Sequence, residues 1–182
     1  GLFIGRDRVG CTLLEKTNGV WRLQEVTEVA LSQPLFNGPP APNAAMLLAE
    51  ALEKLSKSIS RRYLPVHVSL ADAAARTEIF ELDTLPKRRA AQLEFIRWRF
   101  TRDAAMGVAT PIACTYQDLG ENAGKRWVLA VAMDARWYAC ITQALTQAGI
   151  VAWSLRPDIH RQFNRFHARF TDAGEGGALV TL

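Results

Sequence analysis

Two hydrophobic periods share this chain, and the points where one gives way to the other mark out its elements. Residues 76–82, Arg-Thr-Glu-Ile-Phe-Glu-Leu, carry the short period and predict a strand. Leu85-Pro86-Lys87-Arg88-Arg89 then opens a predicted helix that runs through Trp98 to about residue 104. Pro86 suits the first helical position, where its missing N–H would have no partner anyway, and Thr84 is a candidate cap. Leu93, Ile96 and Phe100 recur on one face, widened by Phe95 and Trp98, while Arg88, Gln92, Arg99 and Arg102 fall on the other side. Residues 112–119 and 126–133 predict two more strands. The stretch 76–133 therefore reads strand-helix-strand-strand, with one helix face buried on a small antiparallel sheet.

Before it come a short apolar segment (2–5), a strand (9–16), the turn Asn18-Gly19 and a third strand (20–31) that sets Trp21, Leu23 and Val26 against Val20, Arg22 and Gln24. Residues 32–42 hold four prolines and a glycine and predict a loop. Asn43 can cap a helix over 44–60, whose Leu47, Leu48, Ala51, Leu52, Leu55 and Ile59 keep helical spacing. Residues 64–70 predict a buried strand. After the strand-helix-strand-strand stretch, Asp134 caps a helix over 135–148 that Gly149 closes. A strand (150–155) and a helix from 158 to about 170 follow, the helix with Ile159, Phe163, Phe166 and Phe170 on one face. A glycine-rich loop (171–177) leads to 178–182, which starts a strand and stops in mid-pattern. The chain is expected to be the first half of a longer protein, and Gly1 in place of Met suggests a processed or tagged chain.

A length of 182 residues suits one domain, or one domain with an insertion. The net charge of +4 is mild, and most basic residues stand singly, apart from Arg61-Arg62 and Lys87-Arg88-Arg89. That predicts solvated faces and no nucleic-acid track. The 3 cysteines are odd in number and form no CxxC, which argues against a disulfide framework or zinc site and for a reducing compartment. No apolar run reaches bilayer length. Neither GxxxxGK[ST] nor HExxH occurs, so no metal site is expected. His67 reads as a core histidine. His160 and His167 lie two turns apart, too far to chelate one metal. Ser60, Ser69 and Ser154 have no evident His and Asp partners. Asp72, Glu78, Glu81 and Asp83 form no convincing pair. Of the 5 tryptophans, most predict core; Arg97-Trp98-Arg99 and Arg136-Trp137 join cation to ring, as partner-binding anchors do.

The order of elements resembles the actin-like ATPase fold of the ribonuclease-H-like group, with the insertion seen in bacterial FtsA and PilM. The likeness is nearest to PilM-type proteins of type IV pilus assembly and their MSHA-pilus and type II secretion relatives. It rests on Phe3-Ile4-Gly5 through Val9, Phe80-Glu81-Leu82 leading to Leu85-Pro86, Ile96-Arg97-Trp98-Arg99, the strand at 128–133 and Gly149-Ile150. The resemblance implies an α/β fold: a first actin-like lobe from 1–70 and 150–182, and an inserted strand-helix-strand-strand (SHS2-like) subdomain over 71–149. It also implies a partner, the short cytoplasmic tail of a single-span inner-membrane protein of PilN type, met at the cytoplasmic face of that membrane, where basic residues favour the anionic leaflet.

The family writes Asp-Ile-Gly in its first turn, then a Val-Lys pair. This chain has Phe3 in place of the Asp and Gly10 in place of the Lys, so Phe3, Gly5, Asp7 and Gly10 form a degenerate phosphate turn, with no cofactor expected. The second phosphate turn would follow residues 178–180. A non-catalytic scaffold is the reading these substitutions imply. The alternatives are an active ATPase of the same machinery, with Asp7 acting, and a ribonuclease-H-like nucleic-acid enzyme, for which converging carboxylates cannot be assembled from Phe3 onward.

Overall fold

The computed structural model describes residues 1–58, 66–103 and 110–159, and places them around two sheets. Arg61-Arg62, Ser60, His160, His167 and the elements expected beyond residue 159 lie outside the described residues.

The first sheet has five strands: β1 (Leu2–Ile4), β2 (Arg8–Thr17), β3 (Val20–Ala30), β4 (Val66–Leu70) and β5 (Ala152–Pro157). Their order across the sheet is β3-β2-β1-β4-β5. The first three form an antiparallel meander, while β4 and β5 run parallel to β1. Asn18 and Gly19 both take positive φ, the geometry a tight two-residue hairpin needs. Residues directly opposite on paired strands share a face. Leu2 faces Cys11 and Val68, and Ile4 faces Val9 and Leu70, so these apolar side chains make one continuous surface. Helix α1 (Ala44–Ser58) covers it with Leu48, Leu52 and Leu55, all fully buried.

The second sheet has three antiparallel strands: β6 (Arg76–Leu82), β7 (Ile112–Asn122) and β8 (Lys125–Asp134), in the order β6-β8-β7. Helix α2 (Arg89–Asp103) packs on it through Ile96 and Phe100, both fully buried against Phe80, Val128, Ala130 and Ala132. The two sheets share no strand.

Helix α3 (Ala135–Gln147) sends Trp137, Cys140, Ile141, Ala144 and Leu145 into the first core. The expected boundary at residue 149 therefore moves: the second packing unit ends with β8, and α3 belongs with α1. Gly149, at φ 68, closes α3 as the sequence predicts, and Ile150 N–H returns to the Leu145 carbonyl at 2.9 Å. That bond takes Ile150 out of the expected strand, and β5 starts at Ala152.

Three other expectations change. Helix α2 starts at Arg89, not at Pro86, so Pro86 lies in the approach and Thr84 is no cap. Trp98 does not cover the small sheet; it is 48% exposed. His67 is exposed rather than core, with Nδ1 2.8 Å from the Ser154 hydroxyl and its ring edge-on to Trp153.

Candidate functional site: the cleft between the two sheets

Where the chain crosses from one sheet to the other it leaves a cleft of about 380 Å³. The proline-rich loop before α1 forms one wall and the first turn of α3 another. Trp137 joins them. Its indole N–H donates to the Gly38 carbonyl at 2.6 Å, and its ring lies 4.8 Å from Phe36 with the planes tilted by 59°. Phe36 has φ 62, a left-handed conformation that costs a side-chain-bearing residue energy and persists only where packing holds it. The contact with Trp137 supplies that packing.

Asp134 sits at the α3 N-terminus, where its carboxylate accepts the Arg136 backbone N–H at 2.8 Å and its guanidinium at 2.6–3.1 Å. Hydrogen bonding to Arg136 holds the Asp134 carboxyl below the usual carboxylate range, outweighing the opposite effect of partial burial. Asp134→Ala should cost about 1 kcal/mol through loss of the cap. Because the folded value is depressed, this contribution is present above the unfolded value of about 3.9 and fades as pH falls through the lower folded value. Melts of parent and variant should differ at pH 6 and converge as the pH falls below the unfolded value.

Arg76 and Arg136 bring two guanidiniums to the cleft, Arg76 with Glu78 at 2.8 Å beside it. Both side chains are 47% exposed. Among the lining residues Asp134 is the only carboxyl, and it is committed to the cap. The cleft pairs an aromatic wall with two cations.

Of the expected partner-binding residues, Arg136 and Trp137 line this cleft; Arg97, Trp98 and Arg99 do not. They lie on α2. Arg97 Nε donates to the Ile112 carbonyl at 3.3 Å, and the half-buried Arg99 sits 5.0 Å over the Phe80 ring, inward of where the helical period places it. The sequence reading missed Phe36, Gly38 and Arg76, which fall in segments read only as loop and strand.

The degenerate turn is a separate place. Phe3 pairs with Gly10 across β1 and β2, on the face away from α1. A Cβ on Gly5 would meet the Phe3 ring at 2.9 Å and the Arg8 carbonyl at 3.0 Å, so the ring closes over the turn that the resemblance assigns to phosphate. Asp7 is exposed and bonds Arg8 Nε at 3.3 Å. A Cβ on Gly10 would touch Glu28, placing an acid where the family has a cation. The residues present do not fit a magnesium nucleotide: Phe3 has no ligand atom, and no group of three or more His, Cys, Asp or Glu gathers among the described residues.

Ser154 does have a histidine beside it, contrary to expectation, but no carboxylate bonds the other His67 nitrogen among the described residues. Burial pushes all three thiols up: Cys11, Cys114 and Cys140.

No family model matches this chain, and no curated protein matches it. Solved structures do. The fold is similar to a chain of the PilM–PilN type IV pilus biogenesis complex, with a TM-score of 0.69 and 18% identity, covering 94% of this chain and 51% of that one. It is also similar to the cytoplasmic domain of EpsL, an inner-membrane component of the type II secretion system of Vibrio cholerae, with a TM-score of 0.55 and 16% identity, covering 87% of this chain and 56% of that one. The fold is thus the mixed α/β one that these structures share, carried here by the five-stranded sheet. In fold the chain is PilM-like, and it spans about half the length of the proteins it matches.

Proposed function

We propose that this chain is part of a non-catalytic actin-like scaffold in type IV pilus or type II secretion assembly. It works at the cytoplasmic face of the inner membrane, and its cleft holds the short cytoplasmic tail of a single-span partner of PilN type. The observation that carries this reading is the cleft itself: Phe36 and Trp137 form an apolar wall, and Arg76 and Arg136 lie beside it. An apolar residue of a tail can enter, while guanidiniums bond its carbonyls or acidic groups. The strand-helix-strand-strand unit of β6, α2, β7 and β8 is the inserted SHS2-like subdomain, and it forms the far wall. The similarity to PilM in its complex with PilN supports the partner class.

The competing reading is an ATPase. Calorimetric titration with Mg-ATP should give binding weaker than millimolar, about −4 kcal/mol or less favourable. Phe3→Asp alone should restore no hydrolysis, since an ATP site in this fold takes its second turn from the other lobe. Micromolar affinity abolished by Asp7→Ala would promote the ATPase. Tight DNA or RNA binding that falls steeply with salt would promote the nucleic-acid enzyme.

A further inference from the structure

The chain's net positive charge is concentrated in one segment. Residues 87–103 hold six basic residues against Glu94 and Asp103, a net of four positive charges and equal to the net of the whole chain. The rest of the chain is neutral. Lys87, Arg88, Arg89 and Arg97 are exposed and form no ion pair among the described residues, though Arg89 leans over the Tyr116 ring and Arg97 bonds the Ile112 carbonyl. Trp98 occupies the outward side of α2, diametrically away from Ile96 and Phe100. Phe95 stacks on it at 5.7 Å, and the Arg102 guanidinium lies 4.2 Å over its ring.

We propose that the outward side of α2, with the Lys87–Arg89 segment leading into it, adsorbs to an anionic lipid bilayer. Basic residues near such a surface each add attraction that fades within about 8 Å at physiological salt. A ring with a cation stacked on it matches the headgroup layer, where tryptophan sits among carbonyls and a cation meets phosphate. A protein partner is a poorer fit, since anchor rings in such interfaces fill pockets and Trp98 stands on a convex helix. A nucleic-acid backbone is also poorer. Glu94 shares the side of Trp98 one turn earlier and interrupts a phosphate track, whereas beside a bilayer its head stays in water. This inference deepens the location part of the proposed function by naming the surface, and it involves no cleft residue.

The test is co-sedimentation of the protein with vesicles of phosphatidylglycerol mixed with phosphatidylcholine, without any tail peptide. Binding should appear on the mixed vesicles, be absent on pure phosphatidylcholine, and be released by salt. Arg88→Glu with Arg89→Glu should weaken partitioning by about tenfold or more. Trp98→Ala should weaken it without changing the salt dependence. Equal binding to neutral vesicles, no binding to anionic ones, binding unchanged by the double reversal, or tighter binding to duplex DNA at the same salt would each overturn the proposal. None of these outcomes bears on tail binding in the cleft.

Discussion

Phe100→Ala is expected to cost about 3–5 kcal/mol of stability. Phe100 is fully buried and meets Phe80 edge-on at 5.2 Å, with Val128, Ala130 and Ala132 of β8 in the same cluster. α2 is the layer that packs on this side of the three-stranded sheet, so a cavity under it has few neighbours able to collapse inward. Removing the ring deletes transfer energy, leaves a void and breaks an aromatic pair. Trp98→Ala, two positions along the same helix, should cost far less, because that ring is 48% exposed. Arg88→Ala should change stability by less than about 0.5 kcal/mol. Denaturant melts of the three variants check the ranking; equal losses for Phe100 and Trp98 would mean that the helix face is assigned wrongly.

Trp137→Ala should have an effect of similar size, about 3–5 kcal/mol. Only 6% of the residue is exposed, and it belongs to the first core rather than the second. Two further losses come with it. The Gly38 carbonyl loses its donor, and Phe36 loses the ring that holds its left-handed backbone. The loop before α1 should loosen, and with it one wall of the cleft. Trp137→Phe is the milder variant: it keeps a smaller ring against Phe36 but removes the N–H, at about 1–3 kcal/mol for the orphaned carbonyl. Hydrogen exchange at residues 35–38 should rise in both variants, and more in the alanine.

Much of this architecture was legible in the sequence because local chemistry dictated it. Asn18-Gly19 can form the hairpin with little strain, Asp134 has the side chain a helix start needs, and Gly149 the backbone freedom a helix end needs. What alternation could not convey is which sheet face is covered. Trp21 and Leu23 keep strand spacing, yet they are 61–64% exposed. Leu23 pairs with Leu14 on the face away from α1, where no described helix lies. Pro86 marked a helix start too early because proline fits an extended approach as well as a first turn. Trp98 was misplaced because five apolar residues span more of the helix than a three-stranded sheet can cover. The cleft was half legible. Arg136 and Trp137 stood out as cation and ring together, but their counterparts Phe36, Gly38 and Arg76 lie far off in sequence, and only the fold brings them near.

Under the proposed function, the cleft between the sheets holds an extended tail. Isothermal titration of the protein with a peptide copying the cytoplasmic tail of a PilN-type partner tests it most directly. The expected result is micromolar affinity, about −8 kcal/mol, weakened about tenfold or more by Arg76→Glu or Trp137→Phe and unchanged by Arg97→Ala. No binding, or binding that survives Arg76→Glu while Trp98→Ala removes it, would rule out the cleft as the tail's site.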